Sequence, residues 1–79
     1  METSMKELVE TIAKAIVEDP TSVKVTEIEG NTSIILELSV SEEETGRVIG
    51  RFGRVANAMR TLLQSIAAKE GKRVTLEII

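Results

Sequence analysis

The sequence predicts an α+β fold in the order α-β-β-α-α-β, with three helices on one face of a three-stranded mixed sheet. Three observations carry this. Apolar residues recur at helical spacing from Met5 and again from Val55, two β-branched runs flank Gly30-Asn31, and the residues from Val74 to Ile79 alternate as a strand does. At 79 residues the chain has room for one domain, spanning 1-79.

Ser4-Met5-Lys6-Glu7 has the spacing of a capping box, and Met5, Leu8, Val9, Ile12 and Ile16 follow on one helical stripe. This first helix has to stop before Pro20, which lacks an N–H and restricts the residue ahead of it. Val23 to Glu29 and Thr32 to Val40 then form a hairpin, for which Gly30-Asn31 suits a tight turn because both residues tolerate positive φ. Ile34, Leu36, Leu38 and Val40 alternate toward a core, and Ile35 on the other face suggests that this second strand is central.

Ser41-Glu42-Glu43-Glu44 reads as a second capping box, its acidic turn favoured at a helix N-terminus, with a short helix to about Ile49. After Gly50-Arg51-Phe52-Gly53 a longer helix carries Val55, Met59, Leu62, Leu63 and Ile66 on one stripe and closes at Gly71, where a left-handed cap is easy. The final strand follows. A helical crossover between the second and third strands implies that they run parallel with a right-handed connection.

Composition removes several classes of function. With no cysteine and no histidine, disulfides, the usual zinc sites and histidine-dependent triads are excluded, and no cofactor is expected. Glu42, Glu43 and Glu44 offer carboxylates, but successive helix positions point in different directions and no nucleophile accompanies them. Capping explains them, and no catalytic residue is assigned. No apolar run approaches the roughly 18 residues of a membrane span, and Met1-Glu2-Thr3-Ser4 has no signal-peptide character. A cytoplasmic location without membrane contact is expected.

The net charge of −3 conceals an asymmetry. Residues 1–45 carry three basic and eleven acidic side chains, a net of −8, whereas residues 46–79 carry seven basic and two acidic, a net of +5. A polyanion is thereby attracted to one part of an acidic molecule.

That basic part contains Val48-Ile49-Gly50-Arg51-Phe52-Gly53-Arg54, set between two helices. A phosphate approaches backbone closely only where side chains are absent, as at Gly50 and Gly53, and the next helix N-terminus favours an anion. Arg51 and Arg54 add forked donors, and Arg47 extends the patch. A bare G-x-x-G is a weak signal, since glycine makes up about 7% of residues in ordinary proteins. Context gives it weight. With Gly46-Arg47-Val48-Ile49 before it and Ala58-Met59-Arg60-Thr61-Leu62 after it, the segment resembles a KH domain, whose G-x-x-G turn clamps single-stranded nucleic-acid backbone beside an apolar groove.

The helix-first order is that of a type II KH domain, and the resemblance covers essentially the whole chain. Length and motif are similar to the small bacterial single-KH proteins of the KhpA family. That resemblance implies single-stranded RNA binding as an RNA chaperone or regulator. It also implies a homodimer and/or a larger KH-domain-containing partner protein, with links to cell division, envelope growth and cell shape. The RNA-binding residues it assigns are Gly50, Arg51, Phe52, Gly53, Arg54, Arg47 and Ile49. Val48, Val55 and the Val74 strand are assigned by the resemblance to the groove floor and edge, although ordinary core packing is the favoured account of each, and Ile49 is the one placed to face a base.

The family usually has lysine and then a polar residue inside the turn; this chain has Arg51 and Phe52. Phe52 either stacks on a base or tucks against a helix or second subunit. Arg60 lies about 240° around the helix from Arg54, so structural pairing is expected of it. Lys69, Lys72 and Arg73 form a solvated cluster or a second phosphate contact. The competing reading is a KH-fold protein-interaction or dimerisation module, with Phe52 and the open sheet face, including Ile35 and Ile79, as its contact surface.

Overall fold

The computed structural model describes residues 4–79; the reading of Met1 to Thr3 lies outside the described residues. Helix α1 (Met5–Ile16) leads to strands β1 (Lys24–Glu29) and β2 (Ser33–Ser39), helices α2 (Thr45–Ile49) and α3 (Arg54–Lys69), and strand β3 (Arg73–Ile78). The sheet order is β1-β2-β3, with β1 antiparallel and β3 parallel to the central β2. The α-β-β-α-α-β order and the mixed sheet match the sequence expectation.

Alternation along β2 sets which face is covered. Ile34, Leu36 and Leu38 point inward with Val40 just past the strand, and all four are buried. They meet Met5, Val9 and Ala13 of α1 and Met59, Leu63 and Ala67 of α3 in one cluster that also holds Val25, Val48 and Leu76. The register pairs Ile35 with Ile28 and with Thr75 on the opposite, open face. Ile28 and Ile79 are exposed there.

Helix α1 begins as expected, with the Glu7 N–H donating to Ser4 Oγ at 3.1 Å. Helix α3 ends in a left-handed Gly71 (φ 70°), whose N–H donates to the Ala68 carbonyl while the Lys72 N–H donates to that of Ala67. This doubly bonded stop satisfies two of the carbonyls that a helix end leaves open.

Three expectations are corrected. Neither Gly30 nor Asn31 has positive φ: the Gly30 N–H donates to the Ser33 carbonyl at 2.7 Å, closing the hairpin around Asn31 and Thr32 without a left-handed residue. Ser41 does not cap the backbone of the segment after it. Its hydroxyl donates to Glu44, and the buried Glu44 carboxylate accepts from the Glu18 and Asp19 N–H groups. Glu44 therefore fastens the chain leaving α1 rather than its own helix start, which opens as a 3-10 turn over Glu42–Glu44. On α3 the buried stripe is Ala56, Met59, Leu63 and Ala67, and Leu62 is exposed. Leu62 lies roughly 100° from the centre of that stripe, and the two alanines let the helix approach closely.

Candidate nucleic-acid interface

The helix pair α2–α3 is joined by Gly50 and a 3-10 turn over Arg51–Gly53 that is interrupted by a left-handed Phe52. Gly50 ends α2 at φ 79°, ψ 171°, a conformation essentially restricted to glycine. A Cβ there would stand 2.5 Å from Val55 Cγ2 and 2.9 Å from the Val55 backbone nitrogen, so Gly50 is demanded twice, by conformation and by space. Gly53 starts α3 in the left-handed region (φ 74°, ψ 13°), and a Cβ there would meet only Asn57 Nδ2, at 3.6 Å. The Gly53 N–H closes the turn on the Gly50 carbonyl at 3.1 Å.

Phe52 sits between them at φ 57°, ψ 26°, the only non-glycine with positive φ among the described residues. Such a conformation costs a bulky residue on the order of 1–2 kcal/mol. Phe52 is 85% exposed, so burial within this chain does not offset the strain. The expectation that Phe52 tucks against a neighbouring helix of its own chain is therefore corrected. The Arg54 guanidinium carbon lies 5.9 Å from the ring centroid, within cation–π range.

Arg51 and Arg54 are exposed on either side of Phe52, and Ile49 is exposed at the end of α2. No side chain caps the α3 N-terminus, and α3 is long enough for its dipole to favour an anion there. The turn thus presents backbone, two guanidinium groups and one aromatic ring to solvent.

Arg47 is placed differently from the expected patch. It donates to Glu18 Oε1 at 3.0 Å and lines a concavity with Asp19, Ser41, Glu42, Glu43 and Glu44. Val48 is fully buried core, while Val55 and Val74 are partly buried against it. Lys72 bonds Glu29; that hydrogen bond is the main cause of a lysine pKa raised above its ordinary value, with burial opposing it. Among the described residues no three His, Cys, Asp or Glu side chains are grouped as metal ligands, and no helix is long and apolar enough to cross a membrane.

Two residues continue the surface beyond the turn. Arg60 reaches from α3 to β3, its Nε and Nη2 donating to the Leu76 carbonyl at 3.4 and 3.3 Å. Its Nη1 donates to Asn57 Oδ1 at 3.2 Å, and Asn57 in turn neighbours Gly53. The structural pairing expected of Arg60 is present. Asn57 went unremarked in the sequence because a lone asparagine one turn into a helix carries no pattern.

Known proteins resemble this chain in sequence and in fold. The family described as "KhpA/KhpB, KH domain" matches residues 6–78. An RNA-binding protein KhpA of Caldanaerobacter subterraneus is 57% identical over 75 residues, which cover 95% of this chain and all of that one. Another from Aquifex aeolicus is 49% identical over 76 residues, covering 96% of each chain. In three dimensions the chain resembles part of Aquifex aeolicus Era, seen bound to GDP and aluminium fluoride, with a TM-score of 0.66 at 22% identity. It covers 94% of this chain and 29% of Era, which establishes the fold alone. An Era structure in complex with MgGDPNP and nucleotides 1506–1542 of 16S ribosomal RNA matches with a TM-score of 0.57 and 25% identity, over 94% of this chain and 28% of that one. On the near full-length family match and relatives of this identity, the chain belongs to the KhpA/KhpB KH-domain family.

Proposed function

We propose that this protein binds short single-stranded RNA without catalysis, the Gly50–Gly53 turn receiving a phosphate, and that it acts as an RNA chaperone or regulator in the cytoplasm. The observation that carries this is the turn itself. Two glycines leave backbone open at an uncapped helix start, flanked by exposed Arg51 and Arg54. Relatives named as RNA-binding proteins, and an Era structure holding ribosomal RNA, support the ligand class.

Phosphate contacts supply most of the attraction and little sequence information. Phe52, presented outward at an energetic cost, supplies a stacking face; such contacts contribute about 1–3 kcal/mol per base. Ile49 extends the apolar surface, and Arg47, held by Glu18, adds little. The proposal extends to a homodimer, and to pairing with a larger KH-domain protein, through the open sheet face where Ile28 and Ile79 are exposed. Two copies would hold one RNA with higher avidity when their spacing allows both to engage.

Fluorescence anisotropy of labelled single-stranded RNAs tests the reading, with native protein and Gly53→Asp compared at low and moderate salt. Gly53 is the better position for this because an added side chain has room there, whereas at Gly50 it collides with Val55. Native protein is expected to bind with a salt slope of about −0.7 per phosphate contacted, and the folded variant to lose most of that binding. No binding by native protein at low salt, or equal binding by the variant, overturns the proposal.

A further inference from the structure

Asn57 is held at one end of its amide and open at the other. It lies four positions after Gly53 on α3, and helical side chains lean toward the N-terminus, so it stands over the turn. Its Oδ1 accepts from Arg60 Nη1 at 3.2 Å, and Arg60 is tied in turn to the Leu76 carbonyl of β3. These bonds fix which way the amide faces. With its oxygen toward Arg60, Nδ2 is left beside Gly53, and among the described residues neither of its protons has an acceptor.

A purely structural role would favour a different residue here. Aspartate would give Arg60 a charged partner, which makes the stronger hydrogen bond, and would suit the first turn of a helix, where the dipole favours an anion. Asparagine forgoes both and gains two donors on the side of the turn. The space in front of those donors is the space that Gly53 leaves empty. A Cβ at Gly53 would stand 3.6 Å from Nδ2, so an oxygen near that place lies a small displacement from hydrogen-bonding distance.

Arg51, Arg54 and the start of α3 already offer charge to a phosphate at the turn, and a neutral amide suits a neutral oxygen next to it. In RNA that oxygen is the 2′-hydroxyl, carried on the sugar carbon adjacent to the one that bears the 3′-phosphate; DNA has only hydrogen there. We infer that Asn57 is a specificity residue, donating from Nδ2 to a ribose 2′-hydroxyl beside the phosphate at the turn and so selecting RNA over DNA. The inference rests on the RNA-binding reading and adds the sugar to it.

The test uses single-stranded oligonucleotides of one length and one base sequence, with uracil throughout in place of thymine, built on ribose, 2′-deoxyribose or 2′-fluororibose. The fluoro sugar keeps the ribose pucker but accepts hydrogen bonds poorly. Each is bound to native protein, Asn57→Ala and Asn57→Asp, with thermal melting of each variant to confirm folding. Native protein is expected to favour the ribose strand over both others by about threefold to tenfold, the worth of one hydrogen bond. Asn57→Ala is expected to bind the deoxy strand within about twofold of native, as an exposed substitution should, while the ribose preference disappears. Asn57→Asp keeps the partner of Arg60 but loses the donor, and is expected to bind every strand more weakly and without preference. A merely structural Asn57 would move all three affinities together and leave their ratios intact. Native binding that is equal for ribose and deoxyribose, a fluoro strand that binds as the ribose strand does, or a ribose preference that survives in either variant overturns the inference and leaves nucleic-acid binding at the turn standing. Failure of native protein to bind any of the strands overturns the functional reading, and this inference with it.

Discussion

Along β2, Ile34, Leu36 and Leu38 are buried beneath α1 and α3, whereas in the turn between α2 and α3 Arg51, Phe52 and Arg54 all stand in solvent. The first region is defined by side chains: any backbone with period-two alternation would serve, provided the apolar residues fall on one face. The second is defined by backbone. Its glycines are there for what they lack, and its one bulky residue is held in a conformation it does not favour. Stability and binding should therefore respond to mutation in separate places, except where the two regions touch, at Gly50 against Val55.

The largest separation is expected from Leu36→Ala. Leu36 is fully buried, and its truncation should destabilise the fold by about 2–5 kcal/mol in urea denaturation while RNA affinity per folded molecule stays at the native level. An affinity loss in the folded fraction would mean that the regions are coupled. Gly50→Ala should come next and affect both properties. Glycine-only conformation accounts for about 1–3 kcal/mol, and displacement of Val55 adds to it, so this variant should melt well below Gly53→Ala.

A change of opposite sign is expected at Phe52. Phe52→Gly relieves the positive-φ strain but loosens the unfolded chain, a net stabilisation of about 1 kcal/mol or less, while RNA binding weakens. Reduced stability would show that Phe52 packs on something, a second subunit being the candidate, and sedimentation equilibrium would then reveal dissociation. Arg54→Ala should leave the melting midpoint nearly unchanged, surface substitutions being worth about 0.5 kcal/mol or less. Its effect should appear in the salt dependence of RNA binding, where the slope falls by about 0.7.

The smallest effect concerns the Lys72–Glu29 pair at the far end of the sheet. Because the folded-state lysine pKa is raised, the pair contributes stability that is fully present below the ordinary lysine value of about 10.4 and is lost as pH rises through the raised value. Thermal melts of native protein and Lys72→Met should thus converge at strongly alkaline pH and differ slightly at neutrality.

What was legible in the sequence follows the same division. The alternation Ile34, Leu36, Leu38, Val40 located the core strand and its inward face because burial demands it residue by residue. The helical crossover gave the parallel β2–β3 pair because the geometry allows few others. Leu62 was placed on the buried stripe because hydrophobicity outranks small size when residues are counted, while in the packed helix Ala56 and Ala67 occupy that face. Glu44 and Arg47 escaped because their partners, Glu18 and Asp19, lie more than twenty positions away and no local spacing encodes them. The turn was found from its two glycines and neighbouring arginines. The exposure and strain of Phe52, and the bridge from Arg60 to β3, depend on three-dimensional placement.

The parallel pairing of β2 with β3 also has a kinetic side. The β1–β2 hairpin joins near neighbours in the chain, but the register of β2 with β3 begins at Ser33 and Arg73, forty positions apart. That pairing closes over α2, the Gly50–Gly53 turn and α3, so it costs more chain entropy than the hairpin does. The hairpin should form early, and the α2–α3–β3 half should close late and open first. Arg60, bonded to Leu76, spans the seam between α3 and the last strand to dock. Detachment of β3 would scatter the surface around the turn while the hairpin and its covering helix persisted, so the lifetime of that seam, rather than global unfolding, would set how long the surface stays assembled.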